Sequence, residues 1–211
     1  NYLVTSDNRD LISVWDYSTG ENLCLFSNNN PVGSRISQIQ FMNEDDKPIL
    51  LAGCNDGTVK LYKNFEDLDQ CRLISSWQTL SNVMGINDGT NFLFEWQQAR
   101  GDLIATGNIK SINIWNAFKE KCYRTIPKRS SFPITSLTCD QLDGSIFTAG
   151  FSNGDIRVYD KRSAPRDEMV KEWIGRSKDP SKPSRTSLNS IHMQRGGFRE
   201  LVSASNNGLV Q

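Results

Sequence analysis

The sequence predicts an all-β fold built from repeated antiparallel units, and three observations support this prediction. Turn-forming residues are abundant, with 19 Asn, 15 Gly and 23 Ser, whereas the helix-favouring residues Ala and Glu number only 7 and 8. Leu, Ile, Val and Phe make up about a quarter of the chain and the formal net charge is zero, so a packed core is expected. Finally, one strand–turn–strand pattern recurs along the chain.

The recurring pattern is a strand of small and apolar residues, a tight polar turn, and an alternating strand that ends in an aromatic residue. Its five copies occupy residues 3–16, 50–62, 103–116, 146–160 and 201–211. Alternation of apolar and polar residues over five or six positions is typical of a strand that buries one face. Each copy therefore predicts two neighbouring antiparallel strands.

Four copies end in an aromatic residue at spacings of 47, 53 and 44 residues. These structural repeat aromatics are Trp15, Tyr62, Trp115 and Tyr159. Large aromatic side chains at a regular interval indicate packing between repeated units. We predict that all four are core residues between neighbouring sheets rather than ligand contacts.

A turn residue lies at a fixed distance, five positions before each aromatic residue. These tight-turn residues are Asp10, Gly57, Lys110 and Gly154, and Gly208 takes the same place in the fifth copy. The triplets that end in the three glycines are Asn-Asp-Gly, Ser-Asn-Gly and Asn-Asn-Gly. Such triplets favour hairpins that need a positive φ.

Further strands are predicted on either side of the recurring pattern. Residues 35–41 and 133–139 precede it, and residues 73–77 and 169–174 follow it. Four strands per unit, with Trp15-Asp16 closing the third, resemble the WD40 repeat and so imply a WD40-type β-propeller. The Gly-His pair that usually opens this repeat is absent from the sequence. We therefore expect the histidine hydrogen-bond network to be missing and each blade to depend more on packing.

Connector segments carry a closer resemblance. The segments Leu61 to Leu68, Ser76 to Ser81, Phe94 to Gln98 and Asn153 to Arg162 resemble the carboxy-terminal propeller of the Raptor family, the regulatory subunits of TOR complex one. The Lys-Asn-Phe-x-Asp-Leu run is the most specific of these, because connectors usually diverge between propellers. The resemblance covers nearly the whole chain, and the abundant Asn suggests a fungal member.

The resemblance implies a non-catalytic scaffold that recruits substrates to the TOR kinase and couples it to nutrient signals. The implied partners are the TOR kinase, the small β-propeller subunit of the complex, nutrient-sensing Rag-type GTPases and kinase substrates. It also implies a cytoplasmic location, with peripheral attachment to the vacuolar or lysosomal membrane through partners, and no cofactor.

The repeat pattern predicts a partial propeller over residues 1–211, with approximate blades at 1–33, 34–84, 85–130, 131–184 and 185–211. Three of these units are complete, and the first and last units are partial. We expect the full ring to have seven blades. We expect the remaining blades to lie in the native polypeptide. Because an open arc leaves apolar blade faces bare, we also expect that these residues do not fold stably alone.

The residue counts exclude several classes of function. His192 is the single histidine and is predicted to be a half-buried structural residue on a strand. The five cysteines are Cys24, Cys54, Cys71, Cys122 and Cys139; no CxxC pair occurs, which is typical of reduced thiols. No catalytic, cofactor-binding or metal-binding residue is predicted. Balanced charge argues against a nucleic-acid partner, and the longest apolar run, residues 49–53, is too short for direct membrane insertion.

Two features are candidate interaction sites. Trp77 and Trp173 lie on predicted outermost strands and are possible interface anchors, although packing against a neighbouring strand is the alternative. The loop 176–187 is basic, and a phosphate on one of its hydroxyls could alter a docking surface. Its candidate residues are Ser177, Ser181, Ser184, Thr186 and Ser187. A plain inter-blade loop is the alternative for this segment.

Two other functions remain open from the sequence. The chain could belong to a WD40 scaffold or adaptor of an unrelated complex, such as a ubiquitin ligase adaptor or a ribosome assembly factor. It could also belong to a propeller enzyme, such as a hydrolase or glycosidase. An enzyme would need carboxylates or metal ligands that converge on the central channel, and the sequence shows no such set.

Overall fold

The computed structural model describes residues 1–42, 47–80, 92–164, 167–174, 186–194, 200–208 and 210. In these ranges the chain forms β-strands arranged in antiparallel sheets. The same ranges contain no helix long and apolar enough to cross a membrane. The chain divides into two compact units, Asn1–Phe92 and Leu93–Gln211.

The first unit contains a three-stranded and a four-stranded sheet. The three-stranded sheet consists of β1 (Tyr2–Ser6), β2 (Leu11–Asp16) and β3 (Asn22–Ser27). The four-stranded sheet consists of β4 (Ile36–Met42), β5 (Ile49–Cys54), β6 (Thr58–Lys63) and β7 (Arg72–Gln78). Consecutive strands pair antiparallel, which is the meander of a propeller blade.

The second unit contains two four-stranded sheets and a pair of strands. The first of these sheets consists of β8 (Leu93–Gln97), β9 (Asp102–Thr106), β10 (Ser111–Asn116) and β11 (Lys121–Pro127). The next consists of β12 (Ile134–Cys139), β13 (Ile146–Phe151), β14 (Ile156–Asp160) and β15 (Met169–Trp173). The pair is β16 (Leu188–Met193) and β17 (Leu201–Ser205). Each sheet of the chain lies within one of the five predicted blade ranges.

Each unit has a core in which alternating apolar residues of one sheet meet the next sheet. In the first unit, Ile12 and Val14 of β2 are fully buried in one cluster with Leu50, Ala52 and Tyr62. In the second unit, Ile112 and Ile114 of β10 are buried in one cluster with Phe147, Ala149 and Tyr159. The two clusters use equivalent positions of the repeat, so the same packing arrangement occurs twice.

The repeat aromatics do not all share one environment. Tyr62 and Tyr159 are buried in the two cores. Trp15 and Trp115, predicted to be core residues, are instead half-buried and belong to neither cluster. Side chains alternate along a strand, so Trp15 faces away from the cluster that Ile12 and Val14 join, whereas Tyr62 at the equivalent position of the following sheet faces that cluster. Leu3, paired with Trp15, is exposed on that opposite face.

The three glycine turns have the positive φ that their triplets favour, and Asp10 has a left-handed backbone as well. The φ angle is 63° at Asp10, 84° at Gly57, 90° at Gly154 and 80° at Gly208. Lys110, the fifth turn residue, does not have a positive φ. In that turn the Thr106 hydroxyl donates a hydrogen bond to the Ser111 carbonyl, at 2.9 Å.

We expect replacement of Gly154 by valine to destabilise the β13–β14 hairpin by about 1–3 kcal/mol, because a β-branched residue is strained at a positive φ. Replacement by asparagine should cost clearly less, because asparagine tolerates this conformation. Amide hydrogen exchange of Gly154, which donates to the Phe151 carbonyl at 3.0 Å, measures both effects. Equal protection in the two variants would contradict the prediction.

Candidate interaction surface

A buried ion pair connects the two four-stranded sheets of the second unit. Lys161 follows β14, and its ammonium group donates hydrogen bonds to Asp102 Oδ2 at 2.5 Å and to Gln97 Oε1. The side chains of Lys161 and Asp102 are only 3% and 4% exposed. Burial lowers the pKa of Lys161, while the hydrogen bond to Asp102 acts in the opposite direction.

Asp102 also links this ion pair to the outer strand of its own sheet. The Tyr123 hydroxyl on β11 donates to the same Oδ2 atom, at 2.7 Å. Burial raises the pKa of Tyr123, and the hydrogen bond to Asp102 raises it further. One carboxylate therefore joins β9, β11 and the segment that follows β14.

Two basic side chains at equivalent positions, each three residues after a turn glycine, bind the connector of the preceding sheet. Lys60 Nζ donates to the carbonyl oxygens of Asn28 at 2.5 Å and Asn29 at 3.1 Å. In the second unit, Arg157 Nη1 donates to the carbonyl oxygens of Lys128 at 3.1 Å and Arg129 at 3.2 Å. We call these contacts the connector latches.

The connector latches change one expectation from the sequence. Blades without the Gly-His pair were expected to depend more on packing, but their sheets are also joined by hydrogen bonds from basic side chains. Tyr62 adds to the first latch, because its hydroxyl donates to Asn28 Oδ1 at 2.8 Å. Arg124 makes a comparable contact in the second unit, through Glu168 at 3.0 Å and the Ser163 carbonyl at 2.5 Å.

The two tryptophans predicted as interface anchors differ in accessibility. Trp77 on β7 is half-buried, and its indole nitrogen is buried without a hydrogen-bond partner. Trp173 on β15 is 42% exposed, and Lys171 Nζ lies 4.5 Å from the centre of its ring. Met169 and Val170 are also exposed on this strand, so β15 presents an apolar surface to solvent.

Most of the predicted phosphorylation loop lies outside the described residues, including Ser177, Ser181 and Ser184. Thr186 and Ser187 are described and are half-buried. The backbone amide of Ser187 donates to Asn206 Oδ1 at 3.1 Å, which attaches the end of the loop to the β17 turn. Phosphorylation of this loop stays a prediction.

The described residues do not form a recognisable catalytic or metal centre. No group of three or more His, Cys, Asp or Glu among them could hold a metal ion. All five cysteines are free, and burial raises the pKa of Cys54 and of Cys71 to about 11. These two thiols are therefore protonated at neutral pH. His192 is exposed rather than half-buried, because Ile191 beside it is the β16 residue that turns inward.

Comparison with known proteins places the chain in a family. No model of a protein family matches it. It is 42% identical over 210 residues to the target of rapamycin complex 1 subunit KOG1 of Saccharomyces cerevisiae, covering 99% of this chain and 13% of the yeast protein. It is 38% identical over 209 residues to the target of rapamycin complex 1 subunit mip1 of Schizosaccharomyces pombe, covering 99% of this chain and 15% of that protein.

The structural comparison agrees with the sequence comparison. The crystal structure of Chaetomium thermophilum Raptor matches with a TM-score of 0.87 and 41% identity, and the match covers 100% of this chain and 18% of the Raptor chain. The chain thus spans less than a fifth of the length of these proteins. All three are fungal, and their similarity extends over the whole repeat pattern, including the connectors. This chain therefore belongs to the Raptor family, and its sheets are blades of a WD40-type β-propeller in that family.

Proposed function

We propose that this chain is part of a non-catalytic scaffold subunit of TOR complex 1, which helps to recruit substrates to the TOR kinase and couples the kinase to nutrient signals. The observation that carries the proposal is the sequence identity of 42% and 38% to two proteins named as subunits of that complex, over 99% of this chain. This similarity favours TOR complex 1 over a ubiquitin ligase adaptor or a ribosome assembly factor.

The structure is suited to a scaffold because the sheets are held rigidly while their outer strands remain accessible. The Lys161–Asp102 pair and the connector latches fix neighbouring sheets within each unit. Exposed β15 offers an apolar strand with Trp173 for contact with a protein partner. A surface of this kind can bind partners without refolding.

The proposal extends to more specific partners and to location. The small β-propeller subunit of the complex, Rag-type GTPases and kinase substrates are the proposed partners besides the TOR kinase. The protein is proposed to be cytoplasmic and to reach the vacuolar or lysosomal membrane through these partners. Phosphorylation of the 176–187 loop would add negative charge to a basic segment and so change its docking.

The test is affinity purification of the tagged full-length protein from its own cells, followed by mass spectrometry. We expect the TOR kinase among the most abundant co-purifying proteins, and we expect it to be absent when an untagged strain is processed in parallel. Recovery of a ubiquitin ligase or of ribosome assembly factors without the TOR kinase would overturn the proposal.

A further inference from the structure

An open cleft of about 580 Å³ lies in the second unit, at the end of the β8–β11 sheet. The β8–β9 turn and the β10–β11 turn border it, and the Ala117 amide donates to the Gly101 carbonyl at 3.1 Å to hold the two turns together. The residues that line the cleft are Arg100, Asp102, Asn116, Lys119, Lys121 and Tyr123. The volume is in the range of cavities that bind ligands in other proteins.

The cleft is strongly positive, although the chain as a whole has no net charge. Arg100, Lys119 and Lys121 are exposed, and none of the three forms an ion pair with another residue in the described part of the chain. Arg100 donates a hydrogen bond to the Ser145 hydroxyl at 3.2 Å. The pKa of Asp160 is lowered by its ion-pair partner Arg162 and also by the positive charge of Arg100. Glu120, between the two lysines, does not line the cleft.

Asp102, the single acidic residue that lines the cleft, does not compensate this charge. Its Oδ2 atom accepts hydrogen bonds from Lys161 and from Tyr123, so the negative charge is directed inward and is paired there. Because Lys161 pairs with Asp102, this carboxylate does not neutralise the three exposed cations of the cleft, and they can face an anionic ligand.

The shape of the site favours an extended peptide. Strand β11 is the outermost strand of its sheet and pairs only with β10 among the described residues. Lys121 and Tyr123 of β11 both line the cleft, the β10–β11 pairing shifts register at Tyr123, and Phe118 in the adjoining turn is 76% exposed. Exposed aromatic rings can contact the apolar side chains of a bound peptide.

We propose that this cleft binds an acidic segment of a partner protein, with its carboxylates or phosphates facing Arg100, Lys119 and Lys121. The inference goes beyond the scaffold role in TOR complex 1 and stands whether or not that role is correct. Binding of this kind depends on charge, so it weakens as the salt concentration rises.

The test uses the full-length protein and the fluorescence anisotropy of a labelled hexaglutamate peptide, with hexaglutamine as the uncharged control probe. We expect the double variant K119E/K121E to bind hexaglutamate at least about 10-fold more weakly than the natural protein, because two attractive contacts become repulsive. The neutral variant K119Q/K121Q should have an intermediate affinity.

The matched control is the double variant K63E/R72E. Lys63 and Arg72 are exposed basic residues that pair across β6 and β7, and the corresponding pair in the β8–β11 sheet is Asn116 and Lys121. This variant changes the net charge by the same amount and should leave hexaglutamate binding within about twofold of the natural value. An equal loss in both double variants would show that only net charge matters and would overturn the proposal.

Two further outcomes would also overturn it. One is binding of hexaglutamate no stronger than binding of hexaglutamine at low salt. The other is that K119E/K121E loses binding to vesicles of phosphatidylcholine and phosphatidylserine but binds hexaglutamate as the natural protein does. That result would show that the cleft contacts a membrane. Hydrogen exchange of β9 and β10 in each variant verifies that the sheet remains folded.

Discussion

Replacing Lys161 with methionine is expected to destabilise the second unit by about 3–5 kcal/mol, because the change leaves the Asp102 carboxylate buried without its cation. Methionine fills a similar volume, so the effect would come from charge rather than from a cavity. Gln97 Oε1 also loses its hydrogen-bond donor. Amide hydrogen exchange of β9 and β14 in the full-length protein measures the change as faster opening of both strands.

The neighbouring residue provides the matched control for this prediction. Arg162 pairs with Asp160 at 2.7 Å, but its side chain is 57% exposed. Its replacement by methionine should leave hydrogen exchange of β9 and β14 close to that of the natural protein, because exposed ion pairs contribute little to stability. Adding Asp102→Asn to Lys161→Met should restore much of the lost stability, because the uncompensated charge is gone. A double variant as unstable as the single one would show that charge is not the cause.

Truncation of Phe147 to alanine should destabilise the same unit by about 3–5 kcal/mol, since it removes buried apolar contacts and leaves a cavity. Phe147 is fully buried in the core with Ile112 and Ile114. Its ring stacks on Tyr159 at 4.9 Å between ring centres and 8° between planes, so both β13 and β14 lose a contact. Hydrogen exchange of β10, β13 and β14 in the full-length protein measures the loss.

An exposed phenylalanine of the same unit serves as the control. Phe132 precedes β12 and is 47% exposed. Its truncation to alanine should cost less than about 1 kcal/mol, because surface substitutions rarely remove packed contacts. Similar losses at Phe132 and Phe147 would contradict the assignment of the core to the cluster around Phe147 and Tyr159.

The sequence was sufficient to predict the sheets, because the information for them is local. Alternation in β2 and β10 and the turn at Gly154 are each encoded within a few residues. The similarity of the connector segments to the Raptor family was equally readable, and the comparisons confirm it. By contrast, the half-buried position of Trp15 follows from which face of β2 meets the next sheet, and local alternation does not specify that face.

The buried polar contacts could not be predicted for a similar reason. Lys161 follows a strand in a polar segment, where a lysine is usually solvated. Its partners Gln97 and Asp102 lie 64 and 59 residues away, so the pair exists only after two sheets have packed. One signal was available for the connector latches, since Lys60 and Arg157 share the third position after a turn glycine. The basic cleft likewise depends on two turns meeting in space.

In both connector latches the basic side chain comes later in the sequence than the connector that it binds, so the order of synthesis determines when each latch can form. Lys60 closes on Asn28 from 32 residues downstream, and Arg157 closes on Lys128 from 29 residues downstream. A ribosome makes the connector before the basic residue. The first sheet therefore emerges while the connector carbonyl groups are still hydrogen-bonded to water. Only when the third strand of the following sheet has left the exit tunnel can the latch form. The connector after each first sheet thus gains these hydrogen bonds only from the sheet that follows. A nascent chain stalled between the two sheets would lack them.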